Sequence, residues 1–171
     1  MIKRILPLLP AAGFPCALWM SAGLIGGTEP PPVNPLLLIG LFWLLGLAGA
    51  LVVFWQAVRG KWEGRSLALA NMIVKLLHIG HYVTMFLFAM SGALILFLLP
   101  MLAAIALVTD VMTIALSGIV GLAGVVRCRM EGRLTTTAAI VNGILQFVFC
   151  ADVFSAVWVF CNSRKKEESL S

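Results

Sequence analysis

Apolar residues dominate this chain in long stretches, separated only by short turns that are either proline-rich or basic. A membrane-spanning helix needs about 20 consecutive apolar residues, and several stretches reach that length. The first runs over 5–27, preceded by Lys3 and Arg4 and containing Pro7, Pro10 and Pro15. A turn over Thr28 to Asn34 with three consecutive prolines follows, and then an uncharged run over 35–58.

After the basic segment 59–65, the next apolar run covers 34 residues, Ser66 to Leu99. As one helix it would reach roughly 50 Å, against a hydrocarbon core of about 30 Å. The pattern therefore predicts an interfacial start over 66–75 and a crossing over 76–99. Pro100 marks a tight turn, and a fourth span is predicted over 101–126. A second basic segment, 127–133, leads to a fifth span over 134–160, and 161–171 forms a polar tail.

Composition points the same way. Hydrophobic residues make up 61% of the chain and charged residues 11%, whereas a soluble domain carries roughly a quarter charged residues. The expected fold class is an all-α integral membrane protein with about five transmembrane helices in a single domain. Its surroundings are the lipid bilayer, and the bacterial cytoplasmic membrane is the expected location. The net charge of +5 does not imply nucleic acid, because the basic residues cluster at the ends of apolar runs. There they set orientation, with Lys- and Arg-rich loops on the cytosolic side. Lys3, Arg4 and both basic loops are accordingly placed in the cytosol. Five crossings then put the C-terminus outside, against the pull of Arg164, Lys165 and Lys166. A basic start and the small residues Ser21-Ala22-Gly23 also fit a cleaved signal peptide, which would leave four spans. The length of the run and its three prolines speak against cleavage.

The pattern R-x-[KR]-x-E-G-R occurs at 59–65 and again at 127–133. An Asn follows each, at Asn71 and Asn142, with Ile73 and Ile144 two residues later. This predicts one N-terminal helix followed by two helical hairpins related as parallel repeats, with an axis along the membrane normal. Arg59, Lys61, Arg65, Arg127, Arg129 and Arg133 then become candidate contacts for lipid phosphate.

Ionisable groups at membrane depth are costly and are candidates for function. Asp110 lies on a helix face with Ala103, Ala106, Thr113, Ser117, Gly121 and Gly124, whose small side chains allow close helix approach. Asp152 is placed at similar depth in the fifth span, so that two packed hairpins would bring the carboxyls together to share a proton or a cation. Asn142 and Gln146 form a candidate hydrogen-bond seam toward the third span. Asn71, Lys75, His78 and Tyr82 share one face, with His81 adjacent, at the cytosolic end some 15 Å or more from the aspartates. Lys75 would snorkel to headgroups, and interfacial anchoring is favoured there over metal binding by the His78–His81 pair.

No metal site, cofactor or catalytic residue is expected. The four cysteines lack metal or disulfide spacing, although Cys128, between Arg127 and Arg129, is a candidate acylation site. Ala115-Leu-Ser117-Gly118 is similar to the G-x-S-G of rhomboid proteases with its first Gly replaced. No His follows Ser117, so the resemblance fails at the chemistry. Two functions remain open. One is a non-catalytic protein acting by helix–helix contact with a membrane partner or its own copies, as an accessory subunit, sensor partner or immunity-type protein. The alternative is a small oligomeric transporter or proton-coupled carrier using Asp110 and Asp152.

Overall fold

The computed structural model of the protein describes residues 5–25, 33–91 and 98–168. Lys3, Arg4, the prolines at 30–32, the 92–97 stretch of the third apolar run and the last residues of the tail lie outside them. Among the described residues the chain is all helical: α1 (Leu9–Ile25), entered through a 3-10 turn at Leu6–Leu8, α2 (Pro35–Val58), α3 (Gly64–Ser91), α4 (Leu99–Met130), α5 (Thr136–Leu145) and α6 (Ala151–Glu168). Four segments are long and apolar enough to cross a bilayer: Leu6–Leu24, Pro35–Val58, Gly64–Ser91 and Leu99–Met130. The protein is an all-α membrane protein.

Local chemistry fixes the helix ends. Asn34 caps α2 by accepting from the Leu36 amide at 3.0 Å, with Pro35 at the first helical position, where a missing N–H costs nothing. Gly60 (φ 73°) and Gly132 (φ 69°) end α2 and α4 in the left-handed conformation that glycine adopts without penalty. Thr135 caps α5 through the Ala138 amide at 3.3 Å.

The core is made by close approach of backbones. A Cβ on Gly49 would collide with the Pro7 carbonyl, and one on Gly46 would meet Leu116 at 2.9 Å. The N-terminal helix therefore lies directly on α2, antiparallel to it. Phe14, Ala50, Val53, Ala57, Leu67, Leu116, Val120 and Ala123 fill the space between α1, α2, α3 and α4.

Three expectations are corrected. First, no interfacial segment is set apart at 66–75: α3 runs unbroken from Gly64, and its early residues Leu67 and Ala68 are buried in the bundle. Its 28 residues reach about 42 Å, so the helix overshoots the hydrocarbon core and needs no split.

Second, 134–160 is not a spanning helix. It breaks at 146–150 and folds back on itself. Ser155 donates to Asn142 Oδ1 at 2.8 Å, and Arg133 Nη1 donates to the Ser163 carbonyl at 3.0 Å. These pairings are those of an antiparallel helical hairpin with its tip at 146–150. The ten residues of α5 rise about 15 Å, half the thickness of a bilayer core. The C-terminal end of α6 consequently lies at the same end of the bundle as both basic loops, not at the opposite end.

Third, the two copies of the basic pattern do not occupy equivalent positions. Arg59 is the C-cap of α2, whereas Arg127 is still inside the last turn of α4, whose C-cap is Glu131. The left-handed glycines are position two of one copy and position six of the other. The shared residues are thus four positions out of step with the shared geometry, and the second hairpin partner is the antiparallel pair α5–α6 instead of one helix.

Candidate functional site: a buried charge pair beneath a broken helix

The break in the fifth apolar run has a specific cause. In a continuous helix the Gln146 carbonyl would accept from the amide of residue 150. Here it accepts from Lys75 Nζ at 3.1 Å, and Cys150 takes a positive φ of 63°, uncommon for a side-chain-bearing residue. Two 3-10-type bonds, Phe147 N to Ile144 O at 3.0 Å and Val148 N to Leu145 O at 3.2 Å, close off α5. Backbone at membrane depth tolerates such a break only where protein satisfies the freed groups.

The tip rests on two glycines of α4. A Cβ on Gly118 would strike the Phe147 ring at 2.6 Å, and one on Gly121 would overlap the Gln146 amide. A larger residue at either position would force the Phe147 or Gln146 side chain to shift.

Beneath the tip lies the centre of the site. Lys75 Nζ donates to Asp152 Oδ2 at 2.7 Å, to Ser117 Oγ at 3.0 Å and to the Gln146 carbonyl. An ammonium has three donors, and all three are used. Neither the Lys75 nor the Asp152 side chain has any exposed surface. Tyr82 OH reaches the same carboxylate oxygen at 3.4 Å, and the other oxygen accepts from the Val153 amide at 2.8 Å. Asp152 is therefore held at the N-terminus of α6, where the helix dipole favours negative charge.

Toward the basic-loop end, the polar groups continue through Asn71 Nδ2 to Gln146 Oε1 at 3.3 Å, Gln146 Nε2 to Ser155 Oγ at 2.9 Å, and Ser155 to Asn142. Toward the other end stands a second, looser pair. His81 Nε2 lies 3.6 Å from Asp110 Oδ1 and 3.5 Å from Thr113 Oγ1. Thr113 and Ser117 return their own hydroxyls to carbonyls one turn back, Thr109 and Thr113.

The predicted groups are thus redistributed. The face Asn71–Lys75–His78–Tyr82 is not an interfacial anchor some 15 Å or more from the aspartates. Lys75 sits directly on Asp152 and is fully buried, some 16 Å along α3 from its start. The separation fails twice: 134–160 folds back and returns Asp152 to Lys75, and α3 packs on α4 so that Asp110 faces His81 at 3.6 Å. Asp110 and Asp152 do not share a site: each carboxylate has its own cationic or ionisable partner on α3. The small-residue face of α4 is buried from Ala106 to Gly124, while Ala103 is exposed. Ser155 belongs to the seam although sequence analysis did not single it out. Its spacing of three from Asp152, on the same face, was the available signal.

His78 and His81 serve different neighbours. His78 turns toward the Ala12 and Ala11 carbonyls of α1, the latter freed by the missing amide of Pro15. No cluster of three or more His, Cys, Asp or Glu forms among the described residues.

Four of the basic residues proposed for lipid phosphate meet protein groups, and contacts of Glu131 and Arg133 tie the two loops together. Glu131 accepts from the Gly64 amide at 2.9 Å, capping α3 from the opposite loop. It also pairs with Arg127 at 2.9 Å and Arg133 at 2.8 Å, while Arg133 reaches Glu63 at 3.3 Å. Arg129 donates to Thr136 at 2.8 Å, and Arg59 lies over the Trp55 ring at 4.3 Å. Cys128, the candidate acylation site, is fully buried, so its thiol faces protein and not lipid.

No curated protein and no solved structure matches the chain. A family match covers residues 71–165, which takes in α3 from Asn71 onward, all of α4 and the broken hairpin, and so contains every residue of the polar seam. With more than half of its length matched, the chain belongs to DUF6652, a family of unknown function.

Proposed function

We propose that the protein is a small ion-coupled membrane carrier whose moving part is the hairpin α5–α6 and whose centre is the Lys75–Asp152 pair. The observation that carries this reading is the position of that pair. It is unexposed, some 16 Å along a helix long and apolar enough to span a bilayer, under an unwound segment whose backbone carbonyl joins the site. Discontinuous helices at mid-membrane are where carriers build their binding sites, and intramembrane ionisable residues mark ion or substrate pathways. In this reading displacement of the hairpin separates Asp152 from Lys75, and each becomes available to a charged solute. Orientation follows from the basic residues, with both loops and the end of α6 in the cytosol, and the bacterial cytoplasmic membrane is the proposed location.

The test is charge displacement by the purified full chain in liposomes on a solid-supported membrane. Jumps of sodium, potassium, chloride and pH are applied in turn. Transient currents in the wild type, lost in Lys75→Ala with Asp152→Ala, are expected. Silence under every jump would sink the carrier.

A second reading is favoured by the saturation of Lys75, whose three donors are all engaged. Such a pair can act as a lock that seats the hairpin in a non-catalytic protein working by helix contact, as an accessory subunit, sensor partner or immunity-type protein, with a membrane partner or further copies. The exchange Lys75→Asp with Asp152→Lys separates the two. A lock tolerates reversed polarity, whereas a carrier loses its ion selectivity or its currents.

A further inference from the structure

Among the described residues six buried polar atoms have no hydrogen-bond partner: Asn71 Oδ1, both ring nitrogens of His78, His81 Nδ1, Asp110 Oδ1 and, in the loop ion pair with Glu131, Arg127 Nε. Asn71 Oδ1, His81 Nδ1 and Asp110 Oδ1 lie along the seam described above, on α3 or on the face of α4 that it packs against, while His78 turns to α1. A buried polar atom left unpaired costs about 1–3 kcal/mol, so a run of them along one seam requires an account. The Asp110 side chain is also the one ionised group of the seam with measurable exposure, 16%, against 0% for Asp152 and Lys75.

We propose that Asp110 and His81 form a proton-binding station that passes protons along the α3–α4 seam to Asp152, making the proton the coupling ion. This rests on the carrier reading. The geometry provides the stations in order. Asp110 Oδ1 faces His81 Nε2 at 3.6 Å, and the His81 and Tyr82 ring centroids are 6.1 Å apart. Tyr82 OH then reaches Asp152 Oδ2 at 3.4 Å. Asp110 and Ser117 lie seven residues apart on one helix face, roughly 10 Å by helix rise, so the two stations need a short relay between them. Unpartnered His81 Nδ1 is suited to hold it, through water.

A proton taken up by the Asp110 carboxylate moves to His81 Nε2, leaving carboxylate and imidazolium. His81 releases its Nδ1 proton into the seam. The Tyr82 hydroxyl accepts a proton on one side and donates its own to Asp152. At the end Asp110 and Tyr82 are restored, Asp152 is a neutral acid and His81 carries its proton on Nε2 instead of Nδ1, so a ring flip or exchange through water resets it before the next transfer. Lys75 is left as an ammonium without its counter-ion, the step that loosens the hairpin. The ionisable groups facing this path are Lys75, His78, His81 and Tyr82 from α3, Asp110 from α4 and Asp152 from α6; α2 and α5 contribute none, and Cys16 of α1 is exposed.

The experiment uses the full chain in liposomes with a trapped pH-sensitive dye and a potassium–valinomycin potential. Wild-type vesicles should acidify faster than protein-free ones. Asp110→Asn and His81→Ala should each slow this by about tenfold or more, the scale of a lost proton-transfer group. Asp110→Glu should recover most of the rate, and the melting of Asp110→Asn in detergent should stay near wild type, separating relay from fold. Unchanged proton flux in Asp110→Asn overturns the station while leaving the carrier intact. Absence of wild-type proton flux also overturns it, and currents on the sodium, potassium or chloride jumps then show whether the carrier survives without protons.

Discussion

α3 presents two acid contacts of opposite character. Lys75–Asp152 is short, unexposed and saturated with further donors and acceptors; His81–Asp110 is longer, partly exposed and keeps unpartnered atoms on both members. They stand on one helix, six residues apart, in what is otherwise the same apolar bundle. The difference comes from their partners. Asp110 sits in a continuous helix, so only its side chain can adjust to His81. Asp152 sits beside a break, and the backbone itself bends to Lys75. A charge buried this deeply is stabilised when the main chain is reorganised around it, whereas a side-chain pair on regular helices stays open to exchange.

The strongest way to break this comparison is to remove one member of the tight pair. Asp152→Ala or Lys75→Ala should destabilise the protein by about 3–5 kcal/mol, because an uncompensated buried charge remains. Unfolding in detergent measures this. The double replacement Lys75→Met with Asp152→Leu should regain most of that loss, since apolar substitution of a whole buried pair is often neutral. A double variant as unstable as the singles would show that the backbone contacts of Lys75, and not charge balance, hold the tip.

Next come the glycines under the tip. Gly121→Ala should cost about 1–3 kcal/mol, the range for forcing atoms into a packed interior. Gly124→Ala, where a Cβ would find Ala68 at an ordinary 3.7 Å, should stay within about 0.5 kcal/mol. Equal effects at both positions would mean that the tip does not rest on α4 as described. The smallest change belongs to the open pair: Asp110→Asn should shift stability by less than about 1 kcal/mol, as for other weakly held ion pairs. A loss as large as that of Asp152→Ala would erase the distinction between the two contacts.

The helices and much of the seam are legible in the sequence, but their meeting is not. The spacing Asp110–Thr113–Ser117–Gly121 marks a polar and small face by helix geometry alone, and so does Asn71–Lys75–His78–Tyr82. Both faces are buried, with only Asp110 partly open. What stayed hidden is the break at 146–150. Residues 144–160 contain no Gly or Pro, so no local signal interrupts the apolar run. The freed carbonyl at the break is taken by a lysine 71 positions away, a contact that no window of local sequence contains. The same blind spot gave the repeated basic pattern too much weight, since identical residues at two loops imply equal geometry only if the helices around them end in step.

The separation of Lys75 and Asp152 by 77 positions has a consequence for biogenesis. The chain emerges from the ribosome in order, so α3 must be delivered to the bilayer while its counter-ion is still unsynthesised. A lysine at the middle of a membrane helix opposes insertion by about 2.5–3.5 kcal/mol. The nascent protein is therefore incomplete in a chemical sense until the last helix folds back and delivers Asp152. A chain cut short before that residue carries a stranded charge inside the membrane, a mark by which quality control can tell an unfinished copy from a finished one.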